Sequence, residues 1–136
     1  MRNSLARSAT ARALLSATTL LVIGCSDNVI GPENELEFTN ETDTFQWQVT
    51  ALDGVTQTLT YTWPMTGTVA DVNQSASPSG GSATLRIQDD AGVEVYSRSL
   101  AENGTFQTTQ GSAGNWTITV TLQGVSGAVN FRVQRP

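Results

Sequence analysis

The residue types in this chain leave few routes to catalysis. Its 136 residues include no histidine and no lysine, and Cys25 is the single cysteine. Nucleophilic sites that pair serine or cysteine with histidine therefore cannot be assembled within it. Zinc and copper sites built from histidine and cysteine are excluded for the same reason. The chemistry that remains is that of carboxylates and, separately, of one thiol.

Acidic side chains could serve either as a calcium site or as a catalytic pair. Asp89 and Asp90 lie close to Glu94 in the sequence, and calcium takes oxygen ligands of this kind. The same stretch, residues 89–92, is also typical of a hairpin turn, where Asp and Gly are preferred for backbone reasons. We favour the turn, because the spaced acids of a calcium loop are missing. A carboxylate hydrolase would need two acids across a cleft, and a small sandwich offers little cleft. We therefore predict no catalytic residue and no cofactor.

Aromatic side chains could form a platform on which a sugar ring stacks. Trp47, Trp63 and Trp116 each share a strand face with apolar neighbours, which predicts that all three lie in the core. Tyr96 falls on the face opposite the neighbouring valines, so it is the predicted exposed aromatic. One exposed tyrosine is an ordinary finding, whereas stacking a sugar would require a coplanar pair of exposed aromatics.

The elements that must position these residues are short strands. From Leu36 onward, apolar and polar residues alternate with a period of two, as in strands with one buried and one wet face. The clearest alternating runs cover 36–39, 45–50, 55–63, 83–87, 116–122 and 129–133. Turn residues separate these runs, at Asp53-Gly54 and at 124–127 for example. We expect an all-β fold, a single antiparallel β-sandwich of about eight strands over residues 36–136, jelly-roll-like or immunoglobulin-like, with a closed barrel as the alternative.

Charge restricts the partners. The chain has seven arginines and twelve acidic residues, and three of those arginines lie within residues 1–24. The remainder therefore carries four arginines against twelve acids, a formal net charge of −8. Nucleic-acid binding is not expected, because no basic patch exists to neutralise phosphates.

The first 24 residues have the pattern of an export signal. Three arginines precede the apolar run 13–23, which is shorter than the roughly 20 residues that a helix needs to span a bilayer. The run ends in Val22-Ile23-Gly24-Cys25, which resembles the lipobox of bacterial lipoprotein precursors. The resemblance implies cleavage between Gly24 and Cys25 and attachment of a diacylglyceryl group to the Cys25 sulfur.

Lipidation would provide the anchor. Each buried methylene contributes about 0.8 kcal/mol, so two or three chains hold firmly where one binds reversibly. Ser26 follows the cysteine in place of the aspartate that retains many enterobacterial lipoproteins in the inner membrane, and by that family rule the destination is the outer membrane. Residues 25–35, with Gly31-Pro32 and several polar residues, are predicted to be the lipidated cysteine and a flexible tether.

The C-terminal half has a second family likeness. Residues 114–120 and 127–133 form two strand patterns, each beginning with glycine, and 83–92 combines a strand with an Asp-x-x-Gly turn. These motifs are similar to those of bacterial pre-peptidase C-terminal domains. The resemblance implies a jelly-roll-like accessory sandwich without catalysis of its own.

These observations favour a lipid-anchored protein of the bacterial cell envelope with a non-catalytic module. Its partner would be another envelope protein or a glycan, or the module would act as a scaffold. Two alternatives remain: a carbohydrate-binding lipoprotein, and a small hydrolase that uses carboxylates alone.

The anchor can be tested directly. Cys25→Ser should abolish incorporation of labelled fatty acid and leave the precursor uncleaved by lipoprotein signal peptidase, because both steps require the thiol. Metabolic lipid labelling and membrane fractionation measure the two effects. Unchanged membrane retention of the variant would contradict the lipoprotein assignment.

Overall fold

A computed structural model describes residues 28–136, so Gly24, Cys25 and Ser26 lie outside the described residues. Within that range, no helix is both long and apolar enough to cross a membrane. A 3₁₀ turn, Pro32–Asn34, precedes seven strands. The strands are β1 (Glu37–Glu41), β2 (Thr44–Met65), β3 (Asp71–Gln74), β4 (Ser77–Gln88), β5 (Glu94–Ser99), β6 (Gly104–Gln107) and β7 (Gly114–Gln134).

Two of these strands are unusually long and run through both layers of the fold. β2 has 22 residues and β7 has 21. They pair antiparallel in two stretches, 44–49 with 129–134 and 57–65 with 114–122, and the register shifts between Val49 and Gln57. Residues in the left-handed region occur at these bends, with φ of 52° at Ala51 and 60° at Gly124. Such bulges bend a strand sharply without ending it.

The seven strands form one continuous hydrogen-bonded sheet. The bulges fold it so that the two halves of the long pair lie in two packed layers, which we call the first and the second sheet. In the first sheet the order is β1-β2-β7-β3-β6, and in the second the other halves of β2 and β7 continue into β4 and β5. Every pairing is antiparallel. The predicted single antiparallel β-sandwich is confirmed. It has seven strands because the glycine-containing stretches at 53–54 and 124–127 bend continuous strands, where the sequence pattern predicted turns between separate ones.

The core lies between the sheets and contains all three tryptophans. Trp47, Trp63 and Trp116 have no exposed surface, which confirms the prediction from strand parity. Each indole N–H donates a hydrogen bond, for example from Trp47 Nε1 to the Tyr61 hydroxyl at 2.8 Å. A buried tryptophan keeps its polar N–H satisfied in this way, and the Trp47–Tyr61 bond also links the two halves of β2.

A buried polar group connects the sheets on the side away from β1. The Gln74 side chain is 1% exposed; its Oε1 accepts from the Tyr96 hydroxyl at 2.6 Å, and its Nε2 donates to the Ser99 and Glu102 carbonyls. The prediction that Tyr96 is exposed is wrong, since it is only 7% exposed. The reason is a bulge in β5: Ile87 pairs with Tyr96 while Gln88 pairs with Glu94, so Val95 and Tyr96 both turn inward.

The segment before β1 is attached to the sandwich. Asn34 is buried, and its Nδ2 donates to the carbonyls of Thr50 and Ala51 at 3.1 and 2.9 Å. The Ile30 N–H donates to Gln57 Oε1 at 3.0 Å. The predicted flexible tether through residue 35 is therefore wrong for 30–35, because the bend of β2 leaves carbonyls that this segment satisfies.

The close approach of the β4 and β7 bends can be tested with adjacent glycines. A Cβ at Gly81, where φ is 74°, would overlap the Gly124 carbonyl and lie 2.6 Å from the Gln123 oxygen, whereas at Gly80 it would meet nothing within 4 Å. Gly81→Ala should lower the free energy of unfolding by about 2 kcal/mol or more, since the left-handed backbone alone costs roughly 1–2 kcal/mol.

Urea denaturation measures the effect, with Gly80→Ala as the matched control. That control should change stability by no more than about 0.5 kcal/mol, as is usual for an open surface position. Equal stability of the two variants would contradict the described bend.

Candidate functional site

The outer face of the first sheet carries a row of polar side chains across five strands. Thr39 pairs with Gln46, Gln46 with Arg132, Arg132 with Asn73, and Asn73 with Thr105. Since the partners of a cross-strand pair point to the same side of a sheet, these five side chains lie side by side. The row brings together residues that are far apart in the sequence.

A shallow depression of about 390 Å³ lies on this face. Its lining residues, which we call the amide face, are Gln46, Asp71, Asn73, Ser75, Thr105, Asn130, Arg132 and Gln134. All eight are polar, and four of them end in a carboxamide. A smaller depression of about 150 Å³ continues from it over β1 and shares Gln46. The amide face is thus a broad surface of hydrogen-bond donors and acceptors.

Some side chains of the amide face are held by their neighbours. Asn73 Nδ2 donates to Thr105 Oγ1 at 2.9 Å, and Asp71 Oδ1 accepts from Gln107 Nε2 at 3.1 Å. Asn130 Nδ2 donates to Gln48 Oε1 at 3.3 Å. These bonds orient the rim of the depression and leave hydrogen-bonding capacity at its centre.

Arg132 differs from the other arginines of residues 28–136. Arg86 pairs with Glu94 at 2.8 Å, Arg98 with Glu102 at 2.9 Å, and Arg135 with Asp43 at 3.7 Å. Arg132 makes no ion pair within this part of the chain. A guanidinium with no ion-pair partner among the described residues therefore stands at the centre of the face.

The acids do not form the paired arrangement that a carboxylate hydrolase needs. Asp71 is the one carboxylate among the residues that line the depression. Two carboxyl groups flanking the scissile bond are required for glycoside hydrolysis. The arrangement therefore gives no support to the hydrolase alternative.

The turn at residues 89–92 uses its acids to hold backbone. Asp89 Oδ1 accepts from the N–H groups of Ala91 and Val93, and Oδ2 accepts from the Ser112 N–H at 2.9 Å. The Ser112 and Val93 N–H groups hold the pKa of Asp89 below its usual value. These contacts favour the turn over the calcium loop.

The other two calcium candidates have separate partners. Asp90 Oδ1 accepts from the Asn115 N–H at 2.9 Å, and Glu94 pairs with Arg86. No group of three or more acidic, cysteine or histidine side chains is placed to hold a metal ion in the described range. Asp89, Asp90 and Glu94 therefore act as three separate structural contacts.

The exposed aromatic of the described chain is Phe38, which is 50% exposed. It lies on β1 with its ring 5.0 Å from that of Tyr61 and tilted by 50°. The two rings are not coplanar, so they do not form an aromatic platform on which a sugar ring could stack. Strand parity could not identify Phe38 as exposed. Its side chain lies on the inward face of β1, opposite Trp47, but at the open edge of the sandwich.

Sequence reasoning also missed the amide face. Alternation placed Gln46 and Gln48 on the wet side of one strand and Asn130 and Arg132 on the wet side of another. Nothing in the sequence shows that these strands are neighbours, or that β3 and β6 extend the same surface.

No family model matches this chain, and neither does any curated protein sequence. Among solved structures, it is similar to the carbohydrate-binding module CBM6cm-2 of Cellvibrio mixtus lichenase 5A in complex with cellotriose. The two sequences are 15% identical, the match covers 82% of this chain and 93% of that chain, and the TM-score is 0.41. It is also similar to TmCBM61 in complex with β-1,4-galactotriose. Here the identity is 16%, the match covers 83% of this chain and 78% of that chain, and the TM-score is 0.40. At these values the likeness says nothing about the ligand of this chain.

The role of Asp89 predicts a dependence of stability on pH. Because its pKa is lowered on folding, the folded state binds a proton less readily than the unfolded state. The stabilisation is complete above the unfolded-state pKa, about 3.9, and is lost as the pH falls through the lower folded value. Asp89→Asn should therefore unfold more easily at pH 7 and lose less stability between pH 5 and pH 3.

Thermal melts at several pH values measure both effects. Asp53→Asn is the control, since Asp53 is exposed on the bend of β2, and its pH profile should follow the wild type. A profile for Asp89→Asn parallel to the wild type would contradict the assigned role.

Proposed function

We propose that this protein is a lipid-anchored component of the bacterial cell envelope whose β-sandwich binds a glycan, without catalysis, through the amide face. The observation that carries the proposal is the depression of about 390 Å³ lined by eight polar side chains around an unpaired Arg132. The anchor is inferred from the lipobox-like residues 22–25.

The chemistry of the amide face fits a hydroxyl-rich ligand. A carboxamide presents two donors and an oxygen acceptor, and each sugar hydroxyl can donate one bond and accept others. Gln46 and Gln134 could therefore bind neighbouring hydroxyls through both of their terminal atoms.

A protein partner fits this surface less well. The centres of protein interfaces are enriched in aromatic residues and arginine, and their binding energy is concentrated in buried aromatic or arginine anchors. Arg132 is present on the amide face, but its lining residues include no aromatic or aliphatic side chain that could fill an apolar pocket. Sugar binding here would rely on hydrogen bonds, since the three tryptophans are buried.

The anchor would keep this surface near the membrane. Ile30, whose N–H is bonded to β2, lies five positions after Cys25. A fully extended chain of that length spans about 17 Å. A lipidated Cys25 would therefore hold the sandwich within reach of envelope glycans close to the bilayer.

The binding surface can be tested by titrating the soluble domain, residues 26–136, with trisaccharides of glucose, galactose and galacturonic acid, and with muropeptides. Gln46→Ala should weaken binding of whichever probe binds the wild type about three- to tenfold, because one hydrogen bond contributes about 0.5–1.5 kcal/mol. Isothermal titration calorimetry measures the affinity.

Gln110→Ala provides a matched control, since Gln110 is an exposed glutamine outside the amide face. Its affinity should equal that of the wild type. Equal losses in the two variants, or no binding of any probe, would refute glycan binding at this surface.

A further inference from the structure

We infer that Arg132 recognises a carboxylate, so that the ligand class is a glycan bearing acidic sugars such as uronic acids. This inference rests on the proposed function, because it assigns a specificity to the same amide face. The juxtaposition that supports it is an arginine without an ion pair, at the centre of a polar depression, in a chain where acids greatly outnumber bases.

The charge balance makes the isolation of Arg132 informative. Beyond residue 24 the chain has four arginines and twelve acids, and three of the four arginines have a carboxylate within 4 Å. The fourth lies in the depression with no such partner among the described residues. A carboxylate supplied by the ligand would complete the same pairing.

The immediate neighbours of Arg132 leave its guanidinium available. Gln46 and Asn73 occupy the two cross-strand positions beside it, and a carboxamide carries no charge that would neutralise it. Asp71, the carboxylate of the lining, pairs across the strands with Gln134 and accepts from Gln107 Nε2. The charged fork of Arg132 is therefore flanked by neutral groups that can bind the hydroxyls next to a ligand carboxylate.

The chemistry of arginine suits this role. Its planar guanidinium binds carboxylates with two parallel N–H···O bonds, which are stronger and more specific than neutral hydrogen bonds. Acids farther than about 8 Å from the ligand oppose it only weakly, because their charges are largely screened at physiological ionic strength. Asp71, the carboxylate that lines the same depression, accepts a hydrogen bond from Gln107. The contact at Arg132 therefore decides the preference.

The decisive measurement compares trigalacturonic acid with its methyl-esterified form, in which a methyl group on each carboxyl removes the negative charge. The wild-type domain should bind the free acid at least tenfold more tightly than the ester in calorimetric titrations. Arg132→Gln should bind the two forms equally. Arg132→Lys keeps the positive charge but loses the planar fork, so its preference for the acid over the ester should lie between those of the wild type and Arg132→Gln.

Arg86→Gln is the matched control, because Arg86 lies on β4 in the second sheet and its removal changes the net charge by the same amount. It should keep the wild-type preference. Circular-dichroism melts of each variant establish that the exposed substitutions leave the fold intact.

Equal wild-type binding of acid and ester, or an unchanged preference in Arg132→Gln, would overturn the inference alone. In both cases glycan binding itself would stand. Absence of binding to trigalacturonic acid and its ester, while a neutral trisaccharide binds, would also overturn only the acidic specificity. Failure of all probes would remove the proposed function together with the inference.

Discussion

The antiparallel pairing of β2 with β7 is the interaction on which the rest of the structure depends. Both strands bend at bulges and contribute to both sheets, so one continuous pairing provides the centre of each layer. The bends require backbone with positive φ, which residues that carry a side chain rarely adopt, and this explains the glycines at positions such as Gly54 and Gly127. β1, β3 and β4 pair directly with one of these two strands, and β5 and β6 are added through β4 and β3.

The same pairing determines what each outer surface presents. In the first sheet it places Gln46 beside Arg132, and β3 and β6 extend that row into the amide face. In the second sheet it places threonines opposite one another, at 58 and 121, 60 and 119, and 62 and 117. The two surfaces therefore differ in chemistry: one combines carboxamides with a free guanidinium, and the other is mainly hydroxyl.

The sandwich is closed at its edges by polar contacts within the chain. On one side the segment before β1 satisfies carbonyls exposed by the bend of β2, through Asn34. On the other side Gln74 joins β3 to β5 through Tyr96. A buried amide of this kind is costly unless all its groups are bonded, so these contacts also specify how the two sheets align.

The alternation of apolar and polar residues sufficed to predict the all-β fold and the burial of Trp47, Trp63 and Trp116, because this alternation is local and one face of each strand must be apolar. The composition of the sequence also excluded histidine-based and lysine-based sites. The tertiary structure alone decided that Tyr96 is buried, because a bulge reverses strand parity without a signature in the residue pattern. It alone assembled the amide face, since Gln46, Asn73 and Arg132 become neighbours only through pairings between residues distant in the chain.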